Sequence, residues 1–294
     1  MDNKRKISVM GIINLTDNSY FAESRCLDSC GRSDIAAVLK RAEKMVAEGA
    51  DILDIGACST GPGTHPVGEE EEWKRLGPAL VAIRKEFPDV EISIDTYWPS
   101  VVRKAFDAIG SFIVNDVTAG AGMQPETGSG AGNAGFPESL LADTDGMLRT
   151  AGRLGLPFVA MHMRGNPSTM QSMTDYNDVT ADILEYFRQF GIRADEAGIR
   201  EWILDPGFGF AKSIEQNYQL LKELGKFRAT GRRILVGVSR KSMIYRKFGI
   251  APEEALPATQ VLHYKALCEG ADILRVHDVA EAVRTTALYR ELES

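Results

Sequence analysis

Eight times along this chain a short apolar run rich in Val and Ile gives way to a segment of helical period. Parallel strands need a crossover of a dozen or more residues between them, so this alternation restricts the fold to a parallel sheet covered by helices. The runs are ISVMGIIN from Ile7, ADILDIG from Ala50, EISIDT from Glu91, FIVNDV from Phe112, PFVAMH from Pro157, WILDPG from Trp202, ILVGVS from Ile234 and ADILRVH from Ala271. Between them, Ile35, Val38, Leu39, Ala42, Met45 and Val46 form an i, i+3, i+4 stripe, with Ser33 expected as N-cap and Gly49 as terminator. Ser213 with Gln216, and Asp278 with Glu281, have capping-box spacing. No Pro/Ser-rich linker or charge block interrupts the units, and eight strands exceed the roughly five to seven of an open doubly wound sheet. The expected architecture is a single (β/α)8 TIM barrel, one domain spanning residues 1–294.

One segment breaks the spacing, a long Gly-rich insertion at about residues 119–141 after the fourth strand. It contains GAGNAG from Gly130 to Gly135, which matches the dinucleotide pattern GxGxxG. A Rossmann fingerprint needs its first glycine directly after a strand and a helix opening beneath it, whereas Pro125 precedes this one and Pro137 follows, so a loop is expected.

Composition narrows the function. The chain is 44% hydrophobic and 26% charged, enough for a large core under a polar surface. The net charge of −7 argues against a sequence-independent nucleic-acid binder and leaves any anionic ligand to local cations. Cys26, Cys30, Cys58 and Cys268 lack zinc-site spacing. Asn14, Thr16 and Asp17 end the first apolar run too early for a membrane span, which makes the cytoplasm the expected location.

In a (β/α) barrel the active site lies at the C-terminal ends of the strands. There the sequence places Asn14, Asp54 with Cys58-Ser59-Thr60, Asp95, Asn115-Asp116, Met161-His162, Asp205, Ser239-Arg240-Lys241, and Arg275 with His277. Any one of them alone could equally belong to a structural ion pair. By charge type two groups emerge. Lys241, Arg275 and His277, beside the helix that begins at Asp278, suit a phosphate or pyrophosphate. Asp95, Asn115 and Asp205 suit a flat heterocycle with amidine-like N–H donors. A pterin diphosphate, a nucleotide and a thiamin precursor all satisfy that pairing.

The motifs GIINLT from Gly11, DILDIG from Asp51, STGPG from Ser59, SIDT from Ser93, Asn115-Asp116, MHMRGNPSTMQ from Met161, LDPGFGFAK from Leu204, GVSRKS from Gly237 and RVHD from Arg275 resemble the dihydropteroate synthase family, in order and over nearly the whole chain. The resemblance implies a transferase of folate biosynthesis. In this reaction p-aminobenzoate displaces pyrophosphate from 6-hydroxymethyl-7,8-dihydropterin diphosphate and gives 7,8-dihydropteroate, with Mg2+ on the diphosphate. Position by position it implies that Asp95, Asn115, Asp205 and Lys241 hold the pterin. Asn14, through Mg2+, and Arg275 with His277 would hold the diphosphate. Met161 and Phe210 would line the pockets, and Thr60 and Ser242 would receive the second substrate, the one that sulfonamides mimic. Asp95, Lys241 and Arg275 would carry the catalysis, by electrostatics rather than a covalent nucleophile. A homodimer through the last helices is also implied.

Two loops depart from the family. Where TPDSF is usual the chain has Thr16-Asp17-Asn18-Ser19-Tyr20, and where STRPG is usual it has Ser59-Thr60-Gly61-Pro62-Gly63. One rival expectation is a pterin-dependent methyltransferase, which has no diphosphate to expel and no need of Lys241, Arg275 and His277. The other is a paralogue that binds pterin diphosphate without condensing it, suggested by Asn18 and Gly61.

Overall fold

The computed structural model describes residues 5–16, 33–57, 67–121, 146–165 and 170–293. All eight expected runs are strands: β1 (Ser8–Asn14), β2 (Ile52–Gly56), β3 (Glu91–Asp95), β4 (Ile113–Asp116), β5 (Phe158–Met161), β6 (Trp202–Asp205), β7 (Arg233–Val236) and β8 (Ile273–Val276). They pair in parallel in chain order and close into a barrel, with β8 returning to β1 through Ser8↔Ile273 and Met10↔Arg275. Its helices are α1 (Ile35–Ala47), α2 (Glu69–Glu86), α3 (Pro99–Ile109), α4 (Met147–Leu154), α5 (Val179–Ala197), α6 (Ile214–Lys222), α7 (Ser242–Phe248), α8 (Leu256–Cys268) and α9 (Val279–Leu292). None among the described residues is long and apolar enough to cross a membrane.

Strand side chains alternate between barrel interior and helix layer, and the two sets pack separately. Inside, Met10, Ile52, Ile113, Val159, Ile203, Leu235 and Ile273 form a buried plug. Outside, the other face of the strands packs on the helices, where Phe158 stacks on Phe190 and Phe190 meets Trp202 edge-on. Two residues beyond the plug, the same inward positions are Asp54, Asn115, Met161, Asp205, Gly237 and Arg275. The plug is therefore the floor of a polar chamber at the strands' C-terminal ends.

The same alternation divides two neighbour pairs that the sequence presents together. Asn115 and Met161 face inward, whereas Asp116 and His162 turn out. Asp116 accepts from the Thr118 hydroxyl and from the backbone N–H groups of Thr118 and Gly120, which ties down the turn after β4. His162 packs edge-on against Tyr186 of α5, 4.8 Å between centroids.

Local capping reads less accurately than the strands. The N-cap of α1 is Asp34, whose carboxylate accepts from Ala37, and Ser33 instead donates to the Arg75 carbonyl of α2. Gly49 follows α1 in the left-handed region, as expected. The Ser213–Gln216 capping box is complete. The Asp278–Glu281 box does not form, because a tertiary partner, Arg240, takes the Asp278 carboxylate through two bonds of 2.8 Å. Only the start of the Gly-rich segment, through Ala121, belongs to the described residues; the rest of it, Cys26, Cys30, Cys58, Thr60, and both departing loops around Asn18 and Gly61 lie outside them.

Ahead of β1, the segment around Arg5 and Ile7 meets α9. The Arg290 guanidinium donates to the Ile7 carbonyl at 3.4 Å, and Arg5 donates to the Tyr289 hydroxyl at 3.2 Å.

Candidate active site

The chamber is organised around Asp54, which is wholly buried. Its carboxylate accepts from Ser93 Oγ at 2.6 Å, from Asn115 Nδ2 at 3.1 and 3.2 Å, and from Arg275 Nε at 2.6 Å. Arg275 also reaches Asp95 through Nη2 at 2.9 Å. Side chains from β2, β3, β4 and β8 are thus joined across the interior. Burial raises Asp95 above the ordinary carboxylate range in spite of Arg275, and the neighbouring Asp54, Asp116 and Asp205 push the same way. For Arg275, burial works against the charge, but Asp54 and Asp95 outweigh it and hold the guanidinium protonated.

Opposite them stand Asp205 and Lys241. Asp205 is raised by burial, which Lys241 and the Gly207 N–H partly offset; that N–H donates to its carboxylate at 2.8 Å. Burial lowers Lys241 to about 8, with Asp205 pulling up and Arg275 pushing down. Its ammonium donates to the Phe208 carbonyl and lies 4.6 Å from the centroid of the Phe210 ring. Lys241 therefore lies on the Asp205 side of the chamber.

The loop after β6 brings these groups together. Gly207, Gly209 and Ala211 all adopt positive φ, and a Cβ on Gly207 would lie 2.0 Å from the His162 carbonyl oxygen. Lys212 fastens the loop: its buried Nζ bonds the Gly207 and Phe210 carbonyls, both at 2.9 Å, and faces His162 Nδ1 at 3.2 Å. Sequence reasoning gave Lys212 no role. Its signal was a cation at the end of LDPGFGFAK next to no acidic residue, which carbonyl acceptors must then satisfy.

At the ends of β7 and β8 the clamp between Arg240 and Asp278 holds the two loops together, with Arg240 also donating to the Pro252 and Glu253 carbonyls. Lys241 serves as N-cap of α7, so Ser242 occupies its first turn, half-buried at the rim. His277 faces Ser239 Oγ through Nδ1 at 3.1 Å. Burial, Arg275 and Arg41 lower its pKa to about 4, so the imidazole is neutral and not the cation expected from its residue type. Arg41, on the α1 face beside Val38 and Met45, went unread in the sequence; it reaches toward the Ile12 carbonyl at 3.5 Å.

Asn14, half-buried, ends β1 opposite Gly56 of β2. Met161 is buried beneath the loop after β6, its Cγ 3.3 Å from where a Gly207 Cβ would lie. Behind Asp95, Glu72 in the first turn of α2 is wholly buried, with no charged partner among the described residues. Burial pushes it up to about 8, and the Thr96 hydroxyl beside it offsets this only in part. Among the described residues no group of three or more His, Cys, Asp or Glu is arranged to hold a metal by protein ligands alone.

A family model described as "Pterin binding enzyme" matches residues 10–277. The dihydropteroate synthase of Escherichia coli K12 is 37% identical over 277 residues, covering 94% of this chain and 88% of the relative. That of Synechocystis is 36% identical over 283 residues, 94% of this chain and 86% of the relative. Among solved structures, Yersinia pestis dihydropteroate synthase with a sulfonamide drug complex aligns with a TM-score of 0.84 at 32% identity, covering 98% of this chain and 94% of the other. The Xanthomonas albilineans enzyme with 4-aminobenzoic acid aligns at 0.80 and 33% identity, with the same coverage.

Proposed function

The chain belongs to the pterin-binding enzyme family, and from that membership we propose how its barrel mouth performs the dihydropteroate synthase reaction. It is a transferase of folate biosynthesis that condenses p-aminobenzoate with 6-hydroxymethyl-7,8-dihydropterin diphosphate, releasing pyrophosphate. The observation that carries the residue assignment is the spread of Asp95, Asn115, Asp205, Lys241 and Arg275 around one chamber floored by an apolar plug.

Asp95, Asn115 and Asp205 accept the pterin's ring N–H and amino donors, and Lys241 donates to its ring acceptors. Arg275 and His277 receive the diphosphate. As the C–O bond to the diphosphate breaks, negative charge grows at the Arg275 end and positive charge on the pterin methylene. The Asp95 carboxylate stabilises that cation until the aminobenzoate nitrogen attacks, and no covalent adduct with the protein is needed. Met161 and Phe210 line the pterin and aminobenzoate pockets, Ser242 receives the aminobenzoate from the rim, and Thr60 is assigned to the same substrate by its place in the family's motif.

Mg2+ suits the anion end. Arg275 has its charge already engaged by Asp54 and Asp95, and His277 is neutral, so a diphosphate needs further positive charge. Magnesium keeps most of its waters and takes phosphate oxygens with one or two protein ligands, so the single amide oxygen of Asn14 is an adequate donor. When bound, the ion neutralises charge on the leaving diphosphate. The proposal extends to a single cytoplasmic domain acting as a homodimer through α8 and α9, where Val261, Leu288 and Leu292 are exposed.

A pyrophosphate-release assay with dihydropterin diphosphate, run with and without p-aminobenzoate, tests the reading. Release that depends on aminobenzoate is expected. Tight pterin binding without such release would leave a binding paralogue, and methyl transfer from a methylated pterin would point to the methyltransferase.

A further inference from the structure

Asp54 is fully buried, and Asn115, Arg275 and Ser93 are hydrogen-bonded across it, so no edge of its carboxylate is left for a ligand. Yet its partners include one residue from each end of the chamber. We propose that Asp54 is a positioning residue that holds the pterin reader Asn115 and the diphosphate ligand Arg275 in one frame, and keeps Arg275 anchored while it exchanges Asp95 for the diphosphate. The inference rests on the synthase reading of the chamber and names the side chain that sets its internal geometry.

The hydrogen bonds dictate what the frame does. Asn115 donates Nδ2 to both Asp54 oxygens, so its amide nitrogen is held on Asp54 and its oxygen is left as the acceptor for a ligand. The pterin presents N–H donors, and only that orientation offers them an acceptor. Without Asp54 the amide can turn over and present N–H to N–H.

Arg275 uses Nε on Asp54 and Nη2 on Asp95, leaving Nη1 with no partner among the described residues. Of the two carboxylates, Asp54 is inaccessible to solvent while Asp95 keeps 14% of its side chain exposed. When the diphosphate arrives, the Asp95 contact is the one that can open, which frees that carboxylate for the pterin and turns an Nη edge to the phosphate. The Nε–Asp54 bond is the pivot that remains. An arginine held at Nε alone still presents two nitrogens in a fixed plane, which suits bidentate phosphate contact.

The test measures two half-ligands separately: inorganic pyrophosphate with Mg2+, and 6-hydroxymethylpterin, which lacks the diphosphate. Asp54→Asn keeps the shape but sets an amide N–H against donors, and loss of a charge-assisted bond of this kind should weaken each half-ligand about 10–100-fold. The decisive readout is a double-mutant cycle. In an Arg275→Ala background Asp54→Asn should add less than about 3-fold to the pyrophosphate loss, and in an Asn115→Ala background less than about 3-fold to the pterin loss. Additive losses in either arm would overturn the proposal, since a residue that merely supports the fold weakens both ligands whatever its neighbours are. If Asp54→Asn does not fold, Ser93→Ala, which removes one bond from Asp54, carries the same cycles; losses of about 2–5-fold are expected, and additivity would again overturn the proposal. Because these are binding measurements, a wild-type enzyme lacking aminobenzoate-dependent pyrophosphate release would refute the synthase reading without deciding the role of Asp54.

Discussion

At neutral pH Lys241 is still a cation, but burial has brought its pKa to about 8, so the group is lost within an accessible range. The sign is that of a donor: in the proposed role protonated Lys241 donates to the pterin, and its contribution falls as pH rises through that value. A profile of kcat/KM for the pterin diphosphate should therefore decline above about pH 8, since this ratio reports groups of the free enzyme. Lys241→Arg should remove that limb, because a guanidinium stays charged throughout. A basic limb unmoved by the substitution would assign it to another group. Most of the candidate site was legible at this scale because strand ends in a barrel converge whatever lies between them. The state of each group was not. His277 reads as a cation by type, and only the packing that buries it beside Arg275 and Arg41 makes it neutral. Lys212 reads as a surface lysine until the carbonyls of its own loop are seen to surround it.

The elements follow the same division between what is local and what is not. Strand positions were readable because alternation and apolar runs are properties of a few consecutive residues. Asp116 and His162 escaped attention as outward-facing residues because the sequence shows a strand's end without showing its phase. The failed cap at Asp278 has its cause 38 residues away in Arg240. Helix α2 carries a strain that its sequence of four glutamates conceals. Glu72 is buried beside Asp95 and Asp116 and raised to about 8, so the folded state holds a proton that the unfolded chain releases near 4.5. Stability is then greatest at low pH on this group's account and declines as pH rises from about 4.5 to about 8, by up to roughly 4 kcal/mol. Glu72→Gln should flatten that dependence and raise the melting temperature at pH 8 by several degrees. Thermal unfolding of both proteins at pH 5 and pH 8 checks this, and an equal effect at the two values would disprove it.

For the whole molecule, closure of the sheet is what turns separate motifs into a site. The closed order of the strands brings Asp54, Asn115, Asp205 and Arg275, from β2, β4, β6 and β8, to the C-terminal end of one barrel. The proposed pairing through α8 and α9 belongs to this scale too. Val261 and Leu288 are 67% and 60% exposed, and replacing both with Asp should yield a folded monomer in sedimentation velocity where the wild type is a dimer. A wild type that sediments as a monomer would exclude that pairing. The Arg290–Ile7 and Arg5–Tyr289 contacts carry a different consequence. With β8 bonded to β1 and α9 tied to the segment before β1, the circle of strands has no open edge on which another sheet could pair.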